Sequence, residues 1–334
     1  MTAPPVFSPP APAPEALVRW SEGFGTRFCL FVDTEEEFDW SAPFRRDGYG
    51  TAAMAALPQA HRYFADRGIT VAYLVDYPVT TDPAAVAALR EITADGHSEV
   101  GAQLHPWVTP PFTETVSRSN SFAGNLAESL GAAKLDRLGR AIEKAVGRSP
   151  RIYRAGRYGL GPNSLQLLAA RGYRIDSSMR PGFGYAREGG PEYGAIPNHA
   201  FRAGPRGTLL ELPLTTVFTG RGRAGGARLH AHLARVPRAT GVAARLGLLN
   251  RVPLTPEGVP VREALEAVRV AVGEGVRLLN FSFHSPSLAP GHTPYVRDAA
   301  DLRCFWRWWD EVLDLLDRVG VLPASPDEIL AAAA

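Results

Sequence analysis

The sequence has little of what marks a specialised chain. Only 2 cysteines occur in 334 residues. Cys29 sits in an apolar run and Cys304 beside Phe305 and Trp306, without metal-ligand or redox spacing, so both are expected to be buried free thiols of a reducing compartment. An excess of one charge is missing too: 36 Lys and Arg stand against 34 Asp and Glu. The balance gives no reason to expect nucleic acid or anionic lipid, and a small molecule or neutral polymer is the expected partner. No window approaches the ~18 apolar residues of a membrane span. The start, Met1-Thr2-Ala3-Pro4-Pro5, has no basic or apolar leader region, so a soluble, cytoplasmic protein is expected. Internal repeats of roughly 20 to 50 residues are not evident.

What is present is an alternation. Residues 1–20 form a Pro/Ala-rich extension, expected to be flexible, with prolines at 4, 5, 9, 10, 12 and 14. From there strand-like runs (27–32, 70–75, 99–104, 151–154, 173–175, 209–214 and 276–283) take turns with helix-like ones (51–67, 83–94, 126–147, 163–171 and 298–319). Glycines such as Gly68 and Gly96 end the first two helices. This is the βαβ signal, and right-handed crossovers either close such a series into a barrel or spread it as an open sheet. Residues 21–330 read as a single domain with two excursions around a barrel mouth, near 106–124 and 217–260.

Six apolar runs lead directly into a residue able to do chemistry: Phe31-Val32-Asp33-Thr34-Glu35, Leu74-Val75-Asp76, Val100 to His105, Ile152-Tyr153-Arg154, Tyr173 to Asp176, and Phe281-Ser282-Phe283-His284. Catalytic groups of parallel barrels collect where strands end on one face, so these endings point to one shared site.

Residues two apart on a strand share a face, so Asp33 and Glu35 can enter one cavity. One carboxylate would hold a divalent metal and the other act as general base toward water. Gln103 and His105 are also two apart, His105 as a neutral-imidazole ligand and Gln103 as a weak oxygen ligand or substrate hydrogen-bonder. His97 lies eight residues before His105, about 26 Å along an extended strand, and belongs to a helix–strand turn with a structural role. Arg154 would orient Asp33. The turn after it, Ala155-Gly156-Arg157-Tyr158-Gly159, suits close substrate approach, and Tyr158 could bond a hydroxyl or a developing oxyanion. His284 is placed to protonate a leaving group. Trp107 is the candidate for stacking on a sugar ring. His61, His230 and His232 read as structural or surface residues, and Trp306, Trp308 and Trp309 as helix core.

The order of these motifs resembles the polysaccharide deacetylases of the NodB-homology group, carbohydrate esterase family four. Val32-Asp33-Thr34-Glu35, Glu99 to Trp107, Tyr153 to Tyr158, Glu211-Leu212-Pro213-Leu214 and Phe283-His284-Ser285-Pro286 look like its five motifs in order. The variant with Asp-Thr-Glu, Leu-His-Pro-Trp and His-Ser-Pro-Ser is similar to a subgroup associated with bacterial lipopolysaccharide biosynthesis. The resemblance implies a deformed (β/α) barrel of seven or eight parallel strands and metal-dependent removal of an acetyl group from an N-acetylated sugar. Asp33 would be the base, Glu35 and His105 metal ligands, Arg154 the residue orienting Asp33, and His284 the acid.

The usual second motif of that family offers two histidines four residues apart. Here Gly101 lies four before His105 and Thr109 four after. That leaves one carboxylate and one imidazole, with Asp33 or Gln103 to complete the set, a donor set that suits a hard divalent ion at least as well as zinc. The expectation is therefore a hydrolase that deacetylates an amino sugar of a surface polysaccharide or lipopolysaccharide precursor. The alternatives are a non-catalytic glycan-binding barrel and a hydrolase of small amides or cyclic ureides.

Overall fold

A computed structural model describes residues 6–94 and 96–333. In chain order the elements are β1 (Arg27–Thr34), α1 (Leu57–Ala65), β2 (Val71–Val75), α2 (Tyr77–Thr81), α3 (Pro83–Ile92), β3 (Glu99–Leu104), α4 (Glu128–Val146) and β4 (Ile152–Ala155). There follow α5 (Ser164–Ala169), β5 (Ile175–Asp176), β6 (Phe201–Ala203), β7 (Leu209–Glu211), β8 (Thr216–Thr219), α6 (Gly226–Leu233), α7 (Ala239–Arg245) and β9 (Asn250–Pro253). The chain ends with α8 (Val261–Gly273), β10 (Leu278–His284), α9 (Ala299–Arg318), β11 (Leu322–Pro323) and α10 (Pro326–Ala332).

The main sheet runs β10-β1-β2-β3-β4-β5-β7-β6, with β11 beside the start of β1. All its pairings are parallel except β6 on β7. Seven strands of the path and β11 therefore run parallel, and the sheet curls into the deformed barrel. The curl has a seam. Beyond β10 the bonding partners are loop residues: Asn280 N donates to Thr215 Oγ1 at 2.8 Å, and Ser282 N to the Leu254 carbonyl at 3.2 Å.

Period-two alternation builds both layers of core. Phe28, Leu30, Val32, Tyr73, Phe281 and Phe283 face outward and pack with the helices, where Trp308 and Trp309 of α9 are buried and Trp306 packs alongside. Cys29, Phe31, Leu74, Ile152, Ile175 and Leu210 face inward and fill the lower barrel over Ile329 and Ala332 of α10. Continuing the inward parity up the same strands brings Asp33, Gln103, Arg154 and His284 to the upper interior, which is why one end of the barrel is polar.

Of the proline-rich start, residues 1–5 lie outside the described residues. From Phe7 the chain lies against the body: Glu192 N donates to the Phe7 carbonyl and Val18 N to the Ala200 carbonyl, both at 2.9 Å. The 106–124 excursion begins with a helical turn in which Thr109 N donates to the His105 carbonyl at 3.1 Å. The buried Lys134 of α4 donates to the Pro106 carbonyl at 2.9 Å and holds that turn down. The 217–260 excursion is a β8–β9 hairpin with α6 and α7 at its tip. One cysteine departs from expectation: Cys29 is buried, but Cys304 is exposed, on the outer face of α9. His61 contacts the Tyr73 hydroxyl at 3.0 Å, within the core.

Candidate active site

At the polar end of the barrel, Arg154 is fully buried and spends its guanidinium on positioning. Nη1 donates to Asp33 Oδ1 at 2.5 Å, Nε to the Ser177 carbonyl at 2.8 Å and Nη2 to Ser177 Oγ at 3.0 Å. With three directed bonds this side chain has no freedom to swing, so Oδ1 of Asp33 is fixed and Oδ2 is aimed elsewhere. Asp33 and His284 are register partners on β1 and β10, which places Oδ2 3.7 Å from His284 Nε2.

His284 is held from behind. Its Nδ1 lies 2.6 Å from Glu257 Oε2, and its backbone N donates to Oε1 of the same carboxylate at 3.1 Å. Ser287 Oγ also donates to Glu257 Oε1, at 2.6 Å. Burial, the largest single influence, favours the neutral ring, but the charges of Glu257, Glu35 and Asp33 together outweigh it and push the imidazole up to about 10. His284 is therefore an imidazolium at neutral pH, and its Nε2 proton faces Asp33 and the cavity.

His105 closes β3 and is clamped from two sides. Nδ1 lies 2.7 Å from Glu36 Oε2, while Nε2 faces Glu35 Oε2 at 3.5 Å. Its ring stacks on Trp107 with centroids 4.3 Å apart, and Trp107 Nε1 donates to Glu36 Oε1 at 2.9 Å. Behind them Asp76 accepts from Glu36 N at 2.7 Å and caps α2 by accepting from Val79 N at 3.1 Å. Burial pushes Glu36 up to about 8, and it raises Asp76 well above the carboxylate range with help from the neighbouring Glu36 charge. Burial also lifts Glu35 to about 7, against the pull of His284 and His105.

Gly156 explains the ring's position. A Cβ there would lie 2.3 Å from His105 Cδ2 and 2.6 Å from the Leu104 carbonyl. The glycine was expected to admit substrate; it makes room for the histidine.

Asp33, Glu35, Gln103, His105, Trp107, Tyr158 and His284 all line one cavity of about 630 Å³, within the usual ~300–1,000 Å³ of small-molecule sites. Arg154 lies behind it, acting through Asp33. Gln103 is buried and its Oε1 has no hydrogen-bond partner among the described residues. Tyr158 holds a left-handed backbone at φ 59°, and the hydroxyl of this half-buried side chain is raised by desolvation, so it stays a donor. Trp107, the candidate for stacking on a sugar, stacks on His105 with one face and lies beside Phe38 and Phe44. The aromatic surface nearest His284 is Trp40, with centroids 5.0 Å apart and Tyr295 beyond it.

Glu36, Asp76, Glu257 and Arg180 were not chosen from the sequence. Asp76 was visible as a strand ending. Glu257 lies in the loop after β9, and nothing local links it to β10. Arg180 lines the cavity over the Tyr158 ring at 5.1 Å, with Nε lacking a hydrogen-bond partner among the described residues.

No protein-family model matches the chain, and no curated protein matches it. Among solved structures, a candidate polysaccharide deacetylase of Mycobacterium smegmatis superposes with a TM-score of 0.50 at 16% identity, covering 96% of this chain and 94% of that one. The 4-alpha-glucanotransferase of Thermococcus litoralis superposes with a TM-score of 0.52 at 10% identity, over 92% of this chain and 40% of the enzyme. The fold is a deformed (β/α) barrel shared with both. Because the two names denote different reactions, the scaffold does not choose the chemistry and the site must.

The residues fit a divalent ion. In a tetrahedral site with bonds of about 2.1 Å, neighbouring donors are about 3.4 Å apart. The 3.5 Å between His105 Nε2 and Glu35 Oε2 matches that edge and is long for a hydrogen bond. Gln103 Oε1, buried and unpartnered, adds an oxygen in the same cavity. A second donor group, Glu36, Asp76 and His105, has atoms within 4.8 Å of one another. Its oxygens already accept from Trp107, Val79 and the Glu36 amide, and burial favours protonation there. That arrangement suits bracing Nδ1 of His105 better than caging an ion.

Proposed function

We propose that this protein is a metal-dependent hydrolase that removes N-acetyl groups from an amino sugar of a surface-polysaccharide or lipopolysaccharide precursor. The observation that carries the reading is Asp33: one oxygen is gripped by Arg154, and the other faces the Nε2 proton of an imidazolium. The likeness of the motifs to the carbohydrate esterases supports the substrate class. A divalent ion held by Glu35 and His105 Nε2, with Gln103 Oε1, would polarise the acetyl carbonyl.

The chain's own residues then divide the proton work. Asp33 Oδ2 takes a proton from the attacking water as its oxygen bonds the amide carbon. His284 Nε2 gives its proton to the amide nitrogen as the C–N bond breaks, releasing acetate and the free amine. Glu257 holds Nδ1, so the acid stays aimed, and Tyr158 donates toward the oxygen on which charge develops. Both Asp33 oxygens face cationic groups, and with Glu35, His105 and Gln103 offered as donors Asp33 is not needed as a metal ligand.

The test is acetate release from N-acetylated oligosaccharides with added zinc, manganese or cobalt. Asp33→Asn should lose about a thousandfold in rate, and chelator should abolish the activity. Full turnover by Asp33→Asn, or in chelator, would overturn the mechanism. One observation favours a non-catalytic glycan-binding barrel: the second histidine that the family resemblance expects four residues from His105 is absent, Gly101 standing on one side and Thr109 on the other. Stoichiometric glycan binding without acetate release or metal uptake would establish that reading instead.

A further inference from the structure

The near-neutral total of 36 basic and 34 acidic residues conceals a local extreme. Residues 217–250, the excursion between β8 and β9, contain six arginines (221, 223, 228, 235, 238 and 245) and no aspartate or glutamate. All six are exposed, and among the described residues none pairs with a carboxylate.

The same segment leaves aliphatic surface uncovered. Leu229 (41%), Val236 (58%), Val242 (51%), Leu246 (66%) and Leu248 (45%) are five of the twelve large hydrophobic residues exposed in the described chain, within about a tenth of its length. Val242 of α7 and Leu246, the residue that caps it, are one turn apart, Leu246 N donating to the Val242 carbonyl at 3.0 Å, and share a face. Charge of one sign around exposed aliphatic side chains is the pattern of segments that lie in a bilayer interface.

Other occupants suit the surface less well. Single-stranded nucleic acid is held by stacking on aromatic rings, and the segment's one aromatic residue, Phe218, is turned inward against His230 and Gly226. Protein interfaces favour Tyr, Trp, Phe and Met as well as Arg; the segment has the arginines, but no Tyr, Trp or Met occurs in 217–250 to anchor a protein partner. We propose that this lobe docks the protein on an anionic lipid surface, arginines on the headgroups and the Val242–Leu246 face among the acyl chains. Its two feet stand at the cavity: Thr215 precedes β8, Pro253 closes β9 and Leu254 follows it, all three lining the cavity. The docking is independent of which reaction the cavity performs.

The experiment is co-sedimentation of the purified full-length chain with vesicles of phosphatidylcholine alone or with about 30% phosphatidylglycerol, at about 0.1 M salt. Binding to the anionic vesicles should exceed binding to the neutral ones at least about tenfold. The advantage should vanish in the triple variant Arg235→Gln, Arg238→Gln, Arg245→Gln. Val242→Ser with Leu246→Ser should weaken binding at unchanged charge. All these side chains are exposed, so folding is not at stake. Equal partition to both vesicles, no sedimentation with either, or undiminished binding by either variant would overturn the proposal. Binding to a DNA 20-mer but not to anionic vesicles would overturn it in favour of nucleic acid.

Discussion

His105 and His284 line one cavity from strands β3 and β10, each with Nδ1 held by a carboxylate at nearly the same distance, 2.7 Å from Glu36 and 2.6 Å from Glu257. The same couple serves two purposes because the surroundings differ. Around His105 the carboxyls are sealed from water, and burial keeps protons on Glu36 and Asp76. The ring is 3% exposed and packed on Trp107, so this cluster sets an orientation. His284 is 19% exposed and faces three acidic groups, so its cluster stores a proton at the cavity wall. A histidine–carboxylate pair thus serves as a brace or an acid according to how exposed its ring is and which charges surround it.

The contrast breaks most sharply at His284. His284→Gln should lower acetate release about a hundredfold and remove the alkaline limb of the pH–rate profile; a profile that keeps this limb would show another group supplies the proton. Glu257→Gln removes the main influence that raises His284. The alkaline limb should then move to lower pH from near 10; a displacement of about one unit would roughly halve the rate at pH 9 and cost about tenfold well above pH 10. An unmoved limb would mean that Glu257 only positions the ring.

Glu36→Gln should act on stability, measured by urea unfolding of metal-free protein at pH 5 and pH 8. A buried carboxyl raised from 4.5 to about 8 keeps its proton when folded and loses it when unfolded. Its contribution is full below 4.5 and is lost as pH rises through about 8, by about 1.4 kcal/mol per unit in that window. The variant should flatten this fall, and an unchanged slope would place the pH dependence on Asp76.

The difference between the clusters also marks where sequence reading succeeds. Asp33, Gln103, His105, Arg154 and His284 were legible because strand parity carries each to the barrel interior, and β-register then makes Asp33 and His284 neighbours. Parity ends at Thr34, where the strand stops. Glu35 and Glu36 are adjacent yet both buried, one toward the cavity and one toward the His105 brace, and alternation cannot predict that. Asp76 looked like a strand-end site residue but is spent on a helix cap and the Glu36 amide. Asp176, another strand ending, lies below the cavity and accepts from Ser178. Glu257 reaches His284 only through the β8–β9 excursion, whose path no periodicity describes. Whole-chain charge hid the lobe for the same reason: a total carries no positions.

The glycine at 156 makes the histidine of one strand conditional on the backbone of the next. His105 keeps its pose only while position 156 carries no side chain at all, so the two positions are sterically coupled. A drift to alanine there would leave every candidate catalytic residue in the sequence and still dismantle the site. In sorting chains of this fold into competent and incompetent ones, that bare backbone is as informative as the acids and histidines around it.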